Sequence, residues 1–279
     1  CVVFNKLKMF KGIFMNNRDH RKITVIDGNI AYTGGLNLSD EYINKKIKYG
    51  YWKDNAIKLQ GNSVWNLTIM FLSLWNSYKK EDKDYLKFKT TDNLKTKPNG
   101  YLSAYASVPI NGVLEGEDVY LNIINKATKY VYIITPYLII DTDMINSIIL
   151  AFKRGVDVRI VIPGIPDKKI VYDLTMSYVK NLVDAGIKVY TYTPGFVHSK
   201  IFVSDDNKAT VGTINLDYRS LYLHFENGVY LEDVKEIEDI LNDVNNILTE
   251  SHLLTKKETN YNIFRKVWQS ILRFFAPLF

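Results

Sequence analysis

Short apolar runs alternate with amphipathic segments along the second half of the chain. The runs predict strands and the segments predict helices. The predicted strands cover residues 102–108, 130–135, 156–162 and 187–191, and the predicted helices cover residues 116–129, 141–154 and 168–185. Asp141 suits a helix amino-terminal cap, and Gly155 and Gly186 suit helix ends. Strands that alternate with helices are typical of a sheet with helices on both faces, so the pattern predicts an α/β fold.

The first half and the carboxy-terminal region have simpler patterns. Residues 51–59 alternate as a strand does, residues 62–78 are apolar at helical spacing, and residues 234–254 predict an amphipathic helix. Residues 261–279 are apolar, with three cations interspersed. Docking onto the domain and lying in a bilayer interface are equally favoured interpretations of that tail.

Two stretches of the chain carry five residue types at the same spacing. The first contains His20, Lys22, Asp27, Gly34 and Asn37. The second has the same types at the same offsets, in the residues His198, Lys200, Asp205, Gly212 and Asn215. Five identities at equal offsets predict an internal repeat.

Each copy of the motif predicts a β-hairpin, because β-forming residues flank a polar turn. Alternate residues of a strand share a face, so each histidine and the lysine two positions later point the same way. We expect two-residue loops at 28–29 and 206–207. The resulting cross-strand neighbours are His20 with Asn37, Lys22 with Gly35, His198 with Asn215, and Lys200 with Thr213. Each hairpin would then present an imidazole, an ammonium and an amide on one face.

Asp27 and Asp205 complete the repeated motif and count among its candidate catalytic residues. Both occupy the predicted turns, where an aspartate accepts hydrogen bonds from the backbone or forms a salt bridge. We favour that structural role for both.

The repeated residue types suit the transfer of a phosphoryl group. Lysine and asparagine donate hydrogen bonds to phosphate oxygens, and histidine is a nucleophile or a proton donor. If the two copies face each other, one histidine can attack phosphorus to form a phosphohistidine while the other protonates the leaving alcohol. The lysines would neutralise the phosphoryl charge, so we expect no cofactor.

The residue inventory also argues against a metal centre. Cys1 is the only cysteine, so neither a disulfide within the chain nor a thiolate cluster can form. A zinc site built on His20 and His198 would need further ligands, and the neighbouring Lys22 and Lys200 would repel a cation.

The doubled His-x-Lys-x4-Asp-x6-Gly-x2-Asn pattern resembles the signature of the phospholipase D superfamily. Further blocks resemble the bacterial cardiolipin synthases, and together they cover nearly the whole chain. They are residues 16–37, 49–61, 135–137, 155–163, 189–200, 212–220, 225–227 and 270–279. The doubled motif is specific for the superfamily, and the flanking blocks indicate the synthase.

The resemblance implies phosphatidyl transfer between two phosphatidylglycerol molecules. His20 would attack the phosphorus of the first, and His198 would protonate the departing glycerol. The second phosphatidylglycerol would then displace the phosphohistidine to give cardiolipin. The symmetry of the motifs does not identify the nucleophile, but family members often use the first motif, which favours His20. Asn37 and Asn215 would hold phosphate oxygens together with the motif lysines.

The superfamily also places an acidic residue on a later strand, where it orients a catalytic histidine. A carboxylate bonded to the far ring nitrogen fixes the tautomer of an imidazole. Asp54 and Glu226 lie comparably far downstream of the two motif histidines. We predict the orienting role for both, in preference to a simple surface charge.

Two other functions compete with phosphatidyl transfer. A phospholipase D-type hydrolase or a nuclease of the same superfamily would keep the six histidine, lysine and asparagine residues of the motifs and use water as the acceptor. A non-catalytic lipid-binding protein or scaffold is less favoured, because both motifs are intact. The sequence does not reveal the acyl-chain or acceptor preference.

The charge of the chain favours an anionic partner. The formal net charge is +6, which suits nucleic acid, acidic lipid or phosphorylated metabolites equally. The resemblance selects an anionic phospholipid, phosphatidylglycerol, at a membrane surface; no nucleic acid is expected, and the oligomeric state stays open. We find no run of eighteen uncharged apolar residues that could span a bilayer.

The chain divides into two predicted phospholipase D-like repeats, each a mixed β-sheet flanked by helices. The first covers residues 1–78, a linker covers 79–101, and the second repeat with its apolar tail covers 102–279. Far fewer residues precede the first motif than the second, so we expect the first repeat to lack its amino-terminal part. The resemblance implies membrane helices in that missing part and a place at the bacterial cell membrane. Whether the chain by itself folds fully and is active stays open.

Overall fold

The computed structural model describes residues 1–5, 16–79, 81, 84–90 and 100–279. The described part of the first half contains four strands and one long helix. They are β1 (Ile23–Ile26), β2 (Ile30–Gly34), β3 (Tyr51–Lys53), β4 (Ala56–Gln60) and α1 (Val64–Lys79).

The second half alternates strands and helices as its apolar pattern predicts. The elements are β5 (Tyr101–Ser107), α2 (Glu115–Lys126), β6 (Tyr130–Ile134), α3 (Thr142–Lys153), β7 (Asp157–Pro163), α4 (Lys169–Asp184), β8 (Lys188–Tyr192), β9 (Gly195–Val197), β10 (Ile201–Ser204), β11 (Lys208–Gly212), β12 (Glu226–Glu232), α5 (Glu236–Thr249), β13 (Ser251–Leu253) and α6 (Ile263–Phe274). Asp141 caps α3 by accepting a hydrogen bond from the amide of Met144 (2.8 Å), as predicted.

An eight-stranded mixed sheet, in the order β13-β8-β7-β6-β10-β11-β12-β5, organises the fold. Strands β6, β7 and β8 are parallel, and the remaining neighbours are antiparallel. The α/β class is therefore confirmed. The described sheet of the first half, β1-β2-β4, differs from the prediction because its pairs are all antiparallel rather than mixed.

The predicted strand over 51–59 is two strands with different partners. β3 pairs in parallel with β9 of the second half, whereas β4 joins the small sheet beside β2. The chain leaves one sheet and enters the other at Asp54 and Asn55. The break therefore connects the two halves of the protein and places Asp54 between them.

Both predicted hairpins form, but their predicted register is wrong by one residue. A two-residue loop would pair Ile23 with Gly34, whereas the structure pairs Ile23 with Thr33 across a loop of residues 27–29. The reason lies in the turn, where Asp27 and Gly28 have positive φ of 52° and 67°. Asp27 therefore belongs to the loop, which has three residues rather than the predicted two. The second hairpin has the same register, with Ile201 opposite Val211 across residues 205–207.

The core lies on both faces of the large sheet. One face packs against α2, α3, α4 and α6, and the other packs against α1, α5 and the small sheet. The amphipathic segment predicted over 234–254 forms α5, but its last part pairs with β8 as the edge strand β13. Within the described residues, we find no helix with the length and hydrophobicity needed to cross a bilayer.

The predicted division into 1–78, 79–101 and 102–279 remains a prediction. Within the predicted linker, residues 80, 82–83 and 91–99 lie outside the described part of the chain, as do residues 6–15 of the predicted first repeat. The described contacts join the halves closely. Asn227 on β12, for example, donates a hydrogen bond to Thr33 on β2 (2.9 Å).

Candidate functional site

The two motif histidines line one cleft of about 1140 Å³ between the halves of the protein. Asn37 and Asn215 line the same cleft. The remaining wall combines cations, two carboxylates, aromatic rings and aliphatic side chains, namely Arg18, Tyr42, Tyr137, Ile139, Asp167, Lys168, Lys169, Ile170, Val171, Asp217, Arg219, His224, Leu278 and Phe279. The structure thus brings together the imidazoles and amides of both motifs.

Each histidine is paired with a carboxylate from the other half of the chain. Nδ1 of His20 lies 2.8 Å and 2.9 Å from the two carboxylate oxygens of Glu226. Nδ1 of His198 lies 2.7 Å from Oδ2 of Asp54. Asp54 and Glu226 therefore lie beside the motif histidines, but each faces the histidine of the other half rather than the one upstream of it; their orienting role remains a prediction. Because Nδ1 is engaged in both pairs, Nε2 is the nitrogen each ring can turn toward a phosphorus atom.

Backbone hydrogen bonds hold each histidine against the carboxylate that faces it. The amide of His20 donates to the carbonyl oxygen of Phe225 (2.9 Å), the residue before Glu226. The amide of His198 donates to the carbonyl oxygen of Lys53 (2.7 Å), the residue before Asp54. The parallel pairing of β3 with β9 leads directly to the second contact.

The motif glycines allow neighbouring strands to approach closely. A Cβ on Gly34 would lie 2.4 Å from the carbonyl oxygen of Asn55, and a Cβ on Gly212 would lie 2.4 Å from that of Asn227. Gly35 has a more direct role, because its Cβ would lie 2.1 Å from Oδ1 of Asp54. These positions explain why glycine recurs at this offset of the motif.

The two motif lysines lie beside the histidines in an environment that disfavours their charge. Nζ of Lys22 donates to the carbonyl oxygen of His20 (2.6 Å), and Nζ of Lys200 donates to that of His198. Burial lowers the pKa of Lys200 to about 7 and that of Lys22 to about 8, although Asp54 and Glu226 oppose the shift. A bound anion would raise the pKa of both lysines and so favour their ammonium forms.

The two histidine pairs differ in their electrostatic surroundings. Burial, followed by the nearby charge of Lys200, lowers the pKa of His198 to about 4, although Asp54 opposes the shift. Burial also opposes ionisation of Glu226, but the charge and hydrogen bonds of His20, with those of His224 and Thr213, lower its pKa to about 2. Glu226 is therefore a carboxylate and His198 a neutral imidazole at neutral pH.

The two motif asparagines are presented to the cleft in different ways. Nδ2 of Asn37 donates to the hydroxyl of Tyr42 (2.6 Å), which also contacts the His198 ring edge-on. Asn215 is 6% exposed, and its Oδ1 is buried without a hydrogen-bond partner among the described residues. Both amides are placed where an entering phosphate could engage them.

The structure does not bring Asp27 and Asp205 to the cleft. Both lie at the hairpin turns, where their backbones adopt positive φ. The Asp205 carboxylate accepts hydrogen bonds from the amides of Thr128, Lys129 and Tyr130, at 2.7 to 3.0 Å. These contacts favour the structural interpretation over a catalytic one, because hydrogen bonds at the turn already occupy the Asp205 carboxylate.

His224 belongs to the site although we did not predict it. Its ring lies 5.6 Å from that of His20, and its Nδ1 is 3.6 Å from Oε1 of Glu226. Its position two residues before Glu226 was the available signal. Within the described residues, His20, His224 and Glu226 also form the one group with metal-ligand spacing. Glu226 is already bonded there to His20 and Thr213.

Comparison with known proteins places this site in a family. Residues 120–248 match the family model described as the PLD-like domain of cardiolipin synthase. The chain is 35% identical to a cardiolipin synthase of Alkalihalophilus pseudofirmus, over 99% of this chain and 56% of that protein. It is 38% identical to cardiolipin synthase 1 of Staphylococcus aureus, over 95% of this chain and 54% of that protein. The chain spans about half the length of these curated relatives.

A solved structure shares the fold. The crystal structure of phosphatidylserine synthase from Haemophilus influenzae matches with a TM-score of 0.68 at 18% identity, over 93% of this chain and 69% of that one. At that identity the match concerns the fold alone. The family model and the sequence relatives, with which this fold agrees, show that the chain belongs with the PLD-like domains of the cardiolipin synthase family.

Proposed function

We propose that this chain carries the reaction centre of a phosphatidyltransferase that converts two phosphatidylglycerol molecules into cardiolipin and glycerol. The observation that carries the proposal is the cleft lined by both motif histidines and both motif asparagines, with each histidine held by a buried carboxylate of the other half. The relatives named cardiolipin synthase support the choice of product.

The proposed reaction has two halves. In the first, Nε2 of His20 attacks phosphorus, the N–P bond forms, and the P–O bond to glycerol breaks as His198 gives a proton to the glycerol oxygen. In the second, His198 takes a proton from a hydroxyl of another phosphatidylglycerol. That oxygen attacks phosphorus, and the N–P bond breaks. Both histidines return to their starting states, so the products are cardiolipin and glycerol.

Lysines and amides supply the electrostatic part of the proposal. Lys22 and Lys200 would neutralise the phosphoryl oxygens, and Asn37 and Asn215 would donate hydrogen bonds to them. An entering anion would favour the ammonium form of both lysines, whose pKa burial lowers. The positive charges of the lysines would then lie beside the phosphoryl oxygens, where negative charge collects in the transition state.

The proposed roles of the two histidines require His198 to be protonated when it acts as the acid. An acid must be protonated, yet the pKa of His198 in the ligand-free protein is about 4. The order taken from the family resemblance therefore requires the negative charge of a bound phosphodiester to raise the pKa of His198. If it did not, His198 would be the better nucleophile and His20 the acid.

Product analysis tests the transferase proposal. Vesicles of labelled phosphatidylglycerol are supplied to the protein, to a His20→Ala variant and to a His252→Ala control, whose histidine is exposed and paired with Glu258. We expect cardiolipin and glycerol in equal amounts from the protein and the control, and neither from His20→Ala. Phosphatidic acid as the only lipid product would replace the proposal with a hydrolase, and cleavage of DNA without lipid turnover would replace it with a nuclease.

The proposed substrate also places the reaction at the surface of a bacterial membrane. A diacyl lipid stays in the bilayer, so the cleft has to approach the headgroups. The oligomeric state is not part of the proposal.

A further inference from the structure

Helix α6 packs against the domain with its polar side. Arg265 donates a hydrogen bond to Asp173 (2.6 Å), Gln269 donates to the carbonyl oxygen of Asp173 (3.2 Å), and Arg273 donates to Ser177 (2.9 Å). A surface helix of a water-soluble domain ordinarily turns its apolar side to the core. In α6 the apolar Leu272 is buried in the core, but the other contacts that it makes with α4 are polar and most of its apolar side chains face outward.

The apolar side of α6 and the residues after it form one outward surface, here called the outer face. Its principal members are Ile263, Phe264, Val267, Trp268, Phe274 and Leu278. Phe264 and Phe274 are 82% and 81% exposed. Single exposed apolar residues are ordinary, but a continuous apolar surface with aromatic residues indicates a binding surface.

The charges around the outer face suit an anionic surface. Residues 261–279 contain three cations and no acidic residue. Lys168 and Lys169 are exposed at the start of α4, the helix against which α6 packs. Arg265 and Asp173 offset each other in an ion pair, and Arg273 is turned toward Ser177, so Lys168 and Lys169 supply the exposed positive charge. An apolar face bordered by cations is the arrangement that binds the headgroup boundary of an anionic bilayer.

The outer face continues into the mouth of the cleft. Leu278 and Phe279 line the cleft that also contains His20 and His198. Arg219, another residue of the cleft wall, donates a hydrogen bond to the carbonyl oxygen of Leu278 (2.8 Å). A surface that touched the outer face would therefore lie beside the entrance to the site.

We propose that the outer face docks into the interface of an anionic phospholipid bilayer. Phe264, Trp268 and Phe274 would lie at the level where headgroups meet acyl chains, and Lys168 and Lys169 would contact lipid phosphates. A lipid could then offer its headgroup to the cleft while its acyl chains stay in the bilayer. The lipid that enters the cleft rests on the proposed function, whereas the docking itself does not depend on turnover.

The test measures binding to vesicles without following any reaction. The protein is sedimented with vesicles of phosphatidylglycerol and phosphatidylcholine in equal parts, and with vesicles of phosphatidylcholine alone. The docking variant is Phe264→Ser with Phe274→Ser. The matched control is Ile110→Ser with Leu150→Ser, two exposed apolar residues of other surfaces (71% and 53% exposed). Since the docking variant changes exposed side chains, its thermal melting should match that of the protein.

We expect strong binding to the mixed vesicles and weaker binding to phosphatidylcholine. The docking variant should bind the mixed vesicles at least about tenfold more weakly, because each buried aromatic side chain contributes a large apolar area. The control variant should bind like the protein. Brominated lipids should quench fluorescence in the protein and less so in a Trp268→Phe variant.

Three results would overturn the docking proposal. The first is that the protein does not sediment with either kind of vesicle. The second is that the docking variant binds as well as the protein. The third is light scattering that shows two copies of the chain joined through the outer face, with the docking variant monomeric. Turnover of short-chain phosphatidylglycerol in solution separates the two proposals, because a docking variant should retain it if only docking is lost.

Discussion

Nδ1 of His20 lies 2.8 Å from a carboxylate oxygen of Glu226, although 206 residues separate the two in the chain. The reciprocal pair, His198 with Asp54, joins residues that are 144 apart. Each histidine of one half is thus held by a carboxylate of the other half. Neither motif histidine takes its Nδ1 carboxylate partner from its own half, so the candidate site depends on the docking of both.

The crossed pairing predicts a specific energetic coupling. His20→Ala and Glu226→Gln should couple by about 1–2 kcal/mol in a double-mutant cycle of unfolding free energy, since the two side chains share hydrogen bonds. The control cycle combines Glu226→Gln with His198→Ala, because His198 is paired with Asp54 rather than with Glu226. Denaturant unfolding measures both cycles. Equal coupling in the two cycles would contradict the crossed arrangement.

The sequence predicts the composition of the candidate site better than its geometry. The repeated spacing identifies His20 and His198, and the family resemblance, applied to the carboxylates downstream, points to Asp54 and Glu226. Spacing along the chain does not show that the carboxylates exchange halves, because that depends on the parallel pairing of β3 with β9. The hairpin register was also missed, since it depends on the backbone of turn residues such as Asp27.

The orientation of the carboxy-terminal helix also could not be predicted from the sequence pattern. Residues 261–279 are apolar with interspersed cations, a pattern that favours docking onto the domain and lying in a bilayer interface equally, and the structure forms the helix α6 there. Which side faces the protein depends on individual partners, namely Asp173 for Arg265 and Ser177 for Arg273. Those partners lie on α4, about ninety residues earlier in the chain, and no local pattern connects them.

The buried ammonium of Lys200 should lower the free energy of unfolding, although the residue is needed for lipid turnover. It is 1% exposed, and burial lowers its pKa from 10.5 to about 7. The folded protein therefore binds fewer protons than the unfolded chain between those values, and stability should rise with pH across that window. Lys200→Met should stabilise the protein by about 2–4 kcal/mol at pH 6 and abolish lipid turnover. The gain should shrink as pH approaches 10.5.

Thermal melting across pH measures the effect of Lys200→Met. The exposed Lys58, replaced by Met on β4, is the matched control and should show no comparable gain. A destabilised Lys200→Met variant at pH 6 would show that the ammonium contributes more by its contacts than its burial costs.

Anion binding should weaken as pH rises. The pKa of Lys200 is about 7 and that of Lys22 about 8, because both are buried. Raising the pH from 6 to 10 removes both ammonium charges, although a bound anion moves the loss to higher pH. Affinity for tungstate, a dianion throughout this range, should fall at least about tenfold for each charge lost. Calorimetric titration measures the profile, and a constant affinity would contradict the assigned role of the lysines.

The pKa of His198 should respond to an anion in the cleft. In the free protein burial and Lys200 keep it near 4, so its ring signals should not titrate between pH 7 and pH 5. Bound tungstate should raise that pKa, because negative charge stabilises an imidazolium. NMR of labelled histidine measures both states.

A chromogenic phosphodiester whose leaving group needs no proton then identifies the nucleophile. If His20 attacks phosphorus, His198→Ala should still form the phosphohistidine, whereas His20→Ala should not. The opposite result, together with an unchanged pKa of His198, would reverse the two roles.

Gly35 should be necessary for the orientation of His198. A Cβ at this position would lie 2.1 Å from Oδ1 of Asp54, and a contact that short forces the carboxylate to move. Asp54 holds His198 through Nδ1, so Gly35→Ala should reduce turnover by about 10²-fold or more by misplacing the ring. Gly112→Ala is the control for backbone strain without a clash: its φ of 76° makes alanine costly for stability, but a Cβ there meets nothing within 4 Å, so turnover by the folded protein should be kept. If Gly35→Ala acts through Asp54, adding Asp54→Asn should cost little further turnover, because the orienting contact is already lost. Full additivity of the two changes would mean that Gly35 acts elsewhere.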